Sequence, residues 1–351
     1  MKLSRSKLIS DLDKVLPGIS TGNKLIEGTD TIVFSKGNIY SYNQSISVIV
    51  KESEERGLNG IVKAEDFYNC IINLPSDEIE FETEENVWKI SDGSKNINVV
   101  INLLPKNDIY KYFQDSKIGD EWMNIDGEDF NRALKTCLIR KNTTKFEGVY
   151  VEDNVMYSTN QLIINKFTLK DKYPTVWISS ACVLELAKWN NFNAVQYDKE
   201  WVHFRSADDT VFSIRTLNVY EYPIKTVIAV IETTKGQKVY SSVGLSDEFY
   251  AAIKRASAFS SEIEEHETIT IDFGKEVSIK GSRKSGSYKE VVKEMSTDEE
   301  FELNFDISHI MSCEGIMSKL NVVYDKEINF EKPVRIVLEN DSCCKIFSTV
   351  K

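Results

Sequence analysis

The sequence predicts an α+β protein of three tandem domains, each with two helices packed on antiparallel sheets. Three observations carry that prediction. The dipeptide Asn-Gln occurs at Asn43-Gln44 and at Asn160-Gln161, each time between two apolar, strand-like runs. The two pairs lie 117 residues apart, a third of the 351-residue chain. A helix pattern followed by a hairpin pattern then occurs three times at nearly that spacing. Such internal periods define an architecture before any single element does, and a chain of this length exceeds one ordinary core.

Each third opens with a helix pattern. Leu8, Ile9, Leu12, Val15 and Leu16 form one apolar stripe in the first. Phe130, Ala133, Leu134, Cys137 and Leu138 form the second, and Phe249, Ala252, Ile253, Ala256 and Phe259 the third. The spacing i, i+3, i+4, i+7 places these residues on one face of a 3.6-residue helix. Asp126 and Ser246 stand where a short side-chain oxygen accepts an unpaired first-turn amide. Hairpin patterns follow at 31–43, 148–160 and 269–281, each with a polar turn carrying Gly or Asn. A shorter helix comes next, with Phe67, Val183 and Ile310 in matching places and N-caps at Ser179 and Asp306. Alternating strands close each third, in "EIEFETEENVWKIS", "AVQYDKEWVHFRS" and "EINFEKPVRIVLEN". "INLLPKNDIYKY" and "IRTLNVYEYPIK" read as strand ends that continue as extended connectors. The boundaries fall near residues 118 and 226, giving domains 1–118, 119–226 and 227–351.

Composition describes a soluble globular chain, with 41% apolar and 28% charged residues. No run of about 18 apolar residues reads as a membrane span. Asp11 and Asp13 interrupt any apolar run at the N-terminus, so it reads as an amphipathic helix rather than a signal peptide, and a cytoplasmic protein without membrane partners is expected. The six cysteines form no C-x-x-C pair and read as reduced core residues, so neither a metal site nor a cofactor is expected. His203, His266 and His309 mark no catalytic arrangement, and "GSRKSGS" lacks the spacing of a phosphate-binding loop. It reads as a basic loop. The net charge of −12 argues, by itself, against a nucleic-acid binder.

"LLPKNDIY", "GVYVEDNVMYSTNQLIIN" and "ISSACVLELAKW" are the stretches through which the chain resembles a known family, the bacterial DNA polymerase III β sliding clamp, bacterial or phage-encoded. The resemblance runs in order through the whole chain, at low identity and without an invariant motif. It implies three clamp-type domains per subunit and a ring-forming, head-to-tail homodimer around duplex DNA. It implies no catalysis; the protein would tether a replicative DNA polymerase. An interaction platform or decoy of the same fold that does not encircle DNA is the alternative.

The charge pattern fits that expectation. Residues 1–10, 131–141 and 249–261 together carry +9 over 34 residues, which leaves −21 for the remaining 317. Basic side chains facing phosphates give sequence-independent, salt-sensitive attraction. The DNA-facing residues expected are Arg5, Lys7, Arg132, Lys135, Arg140, Lys141, Lys254 and Arg255, although solvated helix faces produce the same pattern. The resemblance also implies a cleft that takes short linear motifs of the polymerase and the clamp loader. By position its walls are Phe146, Thr159, Gln161, Leu162, Ile163, Ile164, Pro223, Ile228 and Phe347. Leu162, Ile163 and Ile164 equally fit an ordinary packed strand. Asn160-Gln161-Leu162-Ile163 replaces the family's usual Asp-Gly-His-Arg, and "KIFSTVK" lacks its usual Pro. The ring interface would use Ile109 and Phe259, with strand 96–102 nearby; Phe259 also fits plain helix core.

Overall fold

A computed structural model describes every residue except 21–25, 53–56, 93–95, 110–117, 140–144, 190, 199, 264–265, 294 and 351. The chain divides into two compact units, Met1–Glu128 with Lys188–Leu217, and Asp129–Ala187 with Asn218–Lys351.

In the first unit, α1 (Arg5–Val15) starts at Ser4, whose hydroxyl accepts from the Lys7 amide. It buries Leu8, Leu12 and Val15. α2 (Ala64–Asn73) buries Phe67 and Ile71. A four-stranded sheet runs β1 (Lys2–Ser4), β6 (Glu78–Glu84), β7 (Val87–Asp92) and β8 (Asn98–Asn102). An eight-stranded sheet runs β5 (Gly60–Lys63), β2 (Thr31–Ser35), β3 (Asn38–Tyr42), β4 (Ile46–Lys51), β14 (Val211–Arg215), β13 (Trp201–Ser206), β12 (Phe192–Asp198) and β9 (Met123–Asn124). Trp88 of β7 meets Phe34 of β2 at 5.2 Å and Phe67 of α2 at 5.6 Å, edge to face. One indole thus ties both sheets to a helix, and these edge-on aromatic contacts add to the area they bury.

The second unit holds most of α3 (Gly127–Cys137), α4 (Ser180–Leu186), α5 (Ile224–Lys235), α6 (Asp247–Ala256) and α7 (Ile307–Met311). Ser179, Ser246 and Asp306 cap α4, α6 and α7 as the sequence predicts. A six-stranded sheet runs β10 (Val149–Thr159), β11 (Ile164–Ile178), β23 (Cys343–Ser348), β22 (Arg335–Glu339), β21 (Lys319–Tyr324) and β15 (Lys238–Gly244). The last sheet runs β16 (Ser261–Ile263), β17 (His266–Phe273), β18 (Val277–Arg283) and β19 (Gly286–Val292), with β20 (Phe301–Asp306) on the other side of β17.

The two Asn-Gln pairs adopt one turn. The Asn43 side chain accepts from the amides of Ser45 and Ile46, and Asn160 does the same for Leu162 and Ile163. Gln44 and Gln161 have φ of 78° and 74°, the left-handed setting that such Asx turns use. Phe67, Val183 and Ile310, the predicted repeat equivalents, are all fully buried.

Two expectations are corrected. "YEYPIK" is not an extended connector: a 3₁₀ turn at Val219–Glu221 leads through Pro223 into the twelve-residue α5. Its β-branched run imitates a strand, but Val227, Ile231 and Thr234 recur at helical spacing and are buried. "EINFEKPVRIVLEN" forms a strand only from Arg335 onward, because Pro333 has no amide for the ladder and Asn329 closes a turn before it.

Candidate partner cleft and basic helix faces

The basic residues of the helices divide by their partners. Lys135 on α3 and Lys254 on α6 are exposed, and neither has a partner among the described residues. Lys7 on α1 is exposed as well. Arg5 turns away from that role in part: its Nη1 donates at 2.9 Å to the Ile72 carbonyl, in the last turn of α2. Arg132 donates at 2.8 Å to the buried Asp129 carboxylate and lies 5.4 Å from the centre of the Phe167 ring. Arg255 is the departure. Its guanidinium contacts Glu290 twice, at 2.6 and 3.0 Å, and Glu248 at 2.6 Å. Two carboxylates around one guanidinium leave a negative balance, so Arg255 is withdrawn from the expected DNA-facing set. Arg140 and Lys141 lie outside the described residues.

The cleft residues sort by sheet register. Paired residues on neighbouring strands share a face, and successive residues alternate. Thr159 pairs with Ile164, and Ile164 with Ile346, so these three share one face of the six-stranded sheet. The same face carries α5. Arg335, two residues from Val337, the partner of Ile346, donates to Thr234 of α5 at 3.3 Å. Ile228 of α5 and Ile164 of β11 are both half-buried there.

Phe347 is a correction, because it points to the opposite face. It is buried against Phe305 and His309, with ring centroids 6.4 and 5.2 Å away. Ile346, its neighbour, is the residue that shares the face of Thr159 and Ile164. A near-equal hydropathy at successive positions of "KIFS" hid the parity.

Tyr222 is the residue that the sequence reading missed. It stacks on Tyr150 at 4.7 Å and 8°, and meets Trp177 edge-on at 5.4 Å. Trp177 in turn donates from Nε1 to the Glu147 carbonyl at 2.8 Å, which fixes the chain beside Phe146. This anchors Pro223 at the start of α5. Burial pushes the Tyr222 hydroxyl far above its ordinary range. The signal was the aromatic residue directly before Pro223 in "YEYP". At the turn, Ile163 is buried, Gln161 is exposed and Leu162 is 70% exposed. Thr159 donates to the Ile163 carbonyl at 2.9 Å and so holds the turn rather than facing solvent. The result is a rigid aromatic base, half-buried Ile164, Pro223 and Ile228, and a projecting Leu162. Such a surface suits apolar anchors of a short peptide.

Ile109 is a second correction. It is 3% exposed, and a Cβ at Gly28 would lie 3.1 Å from its Cγ1, so it packs within its own fold. Phe259 is half-buried and stacks on Tyr288 of β19 at 6.1 Å. His203 forms a chain that spacing did not reveal. Its Nδ1 lies 2.8 Å from Ser213 Oγ, and its Nε2 lies 3.3 Å from Asp198 Oδ2. Hydroxyl and imidazole are both buried in a cross-strand row, where no substrate reaches them. Burial lowers the His203 pKa, against the pull of Asp198.

No family model matches the chain, and no curated protein matches it by sequence. Solved structures do match its fold from end to end. A DNA polymerase sliding clamp from Bacillus subtilis matches with a TM-score of 0.73 at 17% identity, over 100% of this chain and 98% of that one. The beta subunit from DNA polymerase of Streptococcus pyogenes matches at 0.72 and 14%, over 100% and 99%. A sliding clamp (DNA polymerase III subunit beta) from Bartonella birtlesii, bound to griselimycin, matches at 0.73 and 16%, over 100% and 99%. The chain therefore has the sliding-clamp fold over its full length.

Proposed function

We propose that the chain is a DNA sliding clamp, a non-catalytic processivity factor of three clamp domains; the expected bounds 1–118, 119–226 and 227–351 are kept except that the second boundary moves ahead of α5, to Pro223. Two copies close head to tail around duplex DNA in the cytoplasm. The cleft at Phe146, Ile164, Pro223, Ile228 and Ile346, rimmed by Leu162, takes short linear motifs of a DNA polymerase and a clamp loader. The observation that carries this reading is the fold match, which leaves almost no part of either chain uncovered. Two sheet edges support closure. Among the described residues β8 pairs only with β7, and its Val100 is 56% exposed. β19 pairs only with β18, and its Val291 is 44% exposed. Unpaired edges with exposed β-branched residues are templates for another chain, and joining one edge from each copy satisfies both. Lys135 and Lys254 supply unpaired positive charge for phosphates.

The test is topological. A clamp gives twice the single-chain mass by light scattering, a hollow disc by X-ray scattering, and retention on circular DNA that is lost when the circle is cut. A monomer that shows no such retention supports the second reading, a platform that does not encircle DNA. The pairing of Arg132 and Arg255 with carboxylates favours that second reading, because it thins the basic faces.

A further inference from the structure

We infer that Arg255 is a positioning residue for the sheet edge through which two copies join, rather than a phosphate contact. The inference rests on the ring reading above. β19 is the outer strand of its sheet, and its alternate residues Gly286, Tyr288 and Glu290 face the α6 segment. Each is held from that side. Phe259, just beyond α6, lies over Gly286, where a Cβ would come within 3.2 Å of the ring. The same ring stacks on Tyr288, with planes 13° apart. Glu290 receives two hydrogen bonds from Arg255, through Nη2 and Nε, and one from the Tyr288 hydroxyl. Paired bonds between guanidinium and carboxylate fix orientation as well as distance.

Arg255 is itself held at Nη2 by Glu248, seven residues earlier on the same helix. The Arg255 contact keeps the Glu290 carboxyl below its usual range. The chain of contacts therefore runs from the α6 segment to Gly286, Tyr288 and Glu290 of the edge strand. Ser287, Lys289 and Val291 are left exposed on the outward face, and the edge is unpaired among the described residues. A strand braced in this way meets its partner with little ordering left to do, and preorganisation of that kind strengthens association. Lys254, the residue before it, is exposed and its side chain has no partner among the described residues. It is the internal control.

The experiment compares R255A, E290Q, the charge swap R255E/E290R and K254A in the full chain. Dimer dissociation is read by sedimentation, and DNA binding is read against salt at saturating dimer. R255A and E290Q are expected to weaken the dimer by about tenfold, with the swap recovering much of the loss. K254A is expected to leave the dimer unchanged and to flatten the salt dependence of DNA binding by about one unit of slope. R255A at saturating dimer leaves that slope alone. A wild-type dimer that R255A does not weaken, or a salt slope that R255A flattens as K254A does, overturns the role of Arg255 and leaves the ring standing. A wild-type chain that stays monomeric at every concentration overturns the ring reading and this role with it.

Discussion

The ladder between β4 and β14 and the ladder between β11 and β23 each hold four residue pairs, and each joins strands from different thirds of the chain. Both keep one large aromatic on the inner face, Phe212 in the first and Phe167 in the second, fully buried. They differ in the polar row. In the first, Ser47 pairs with Ser213 and Ser213 with His203, a neutral row that ends on the exposed Asp198 carboxylate. In the second, Asn165 pairs with Lys345, a residue only 3% exposed whose Nζ donates at 2.5 Å to the Ser312 hydroxyl. Burial drives the Lys345 pKa down. Cys137, Cys313, Cys343 and Cys344 are all buried, and burial raises each thiol, that of Cys343 up to about 12. Equal ladders can therefore carry unequal electrostatic loads. Hydrogen-bond count does not predict the difference, because a buried amine with no carboxylate in an ion pair among the described residues is costly to charge.

The apolar halves set the largest effect and give the reference. Phe212→Ala and Phe167→Ala each remove a fully buried ring, and each is expected to destabilise its unit by about 3–5 kcal/mol. Urea unfolding of the two variants checks this. A difference of more than about 2 kcal/mol between them would mean that the ladders are not equivalent even in their packing.

Next comes Lys345→Met, which keeps the length and removes the charge. It is expected to stabilise the second unit by about 1–4 kcal/mol wherever the buried amine is protonated, since an apolar isostere then replaces a buried charge. Its pH dependence sharpens the point. A base whose folded pKa lies below its ordinary 10.5 binds fewer protons folded than unfolded between those values. Stability therefore rises with pH through that window, is fully present above 10.5, and is lost as pH falls through the folded pKa. Lys345→Met should abolish the slope, and an unchanged slope in the variant would place its origin elsewhere.

His203 gives the corresponding, smaller effect in the first ladder. Its pKa is lowered from 6.5, so stability falls as pH drops below 6.5 and the unfolded chain takes up the proton first. His203→Gln should flatten thermal stability against pH on that acid side while leaving the alkaline side alone.

Much of this was legible in the chain, for stated reasons. Helix stripes, caps at Ser179, Ser246 and Asp306, and the buried trio Phe67, Val183 and Ile310 depend on local spacing, which sequence displays directly. The failures involve facts that spacing does not hold. Strand parity separated Ile346 from Phe347 only once β23 was paired with β11. Ile109 looked available because its contact at Gly28 is about eighty residues distant in sequence. Arg255 read as a DNA-facing cation because Glu290 reaches it from β19, thirty-five residues on in the sequence. α5 was hidden because its β-branched residues carry strand propensity while tertiary burial of Val227 and Ile231 decides for helix.

The smallest effects return to the repeated turn, where the two ladders' neighbourhoods meet the question of function. Gln44 and Gln161 both sit at positive φ, a strain that glycine relieves. Gln44→Gly and Gln161→Gly are each expected to change stability by no more than about 1 kcal/mol, with relieved strain offset by a more flexible unfolded chain. If the Asn-Gln repeat were only a shared fold device, both turns would respond alike in every assay. The cleft reading separates them. Leu162, held out at the second turn by the Asn160 hydrogen bonds, is expected to leave unfolding unchanged when replaced by Ala, because so little of it is buried. The same substitution should weaken capture of a clamp-binding peptide by about tenfold, read by fluorescence anisotropy, as loss of an apolar rim contact does. Ser45→Ala at the matching place in the first turn should leave capture unaltered. Equal peptide affinity in Leu162→Ala and wild type would reduce the second turn to the role of the first.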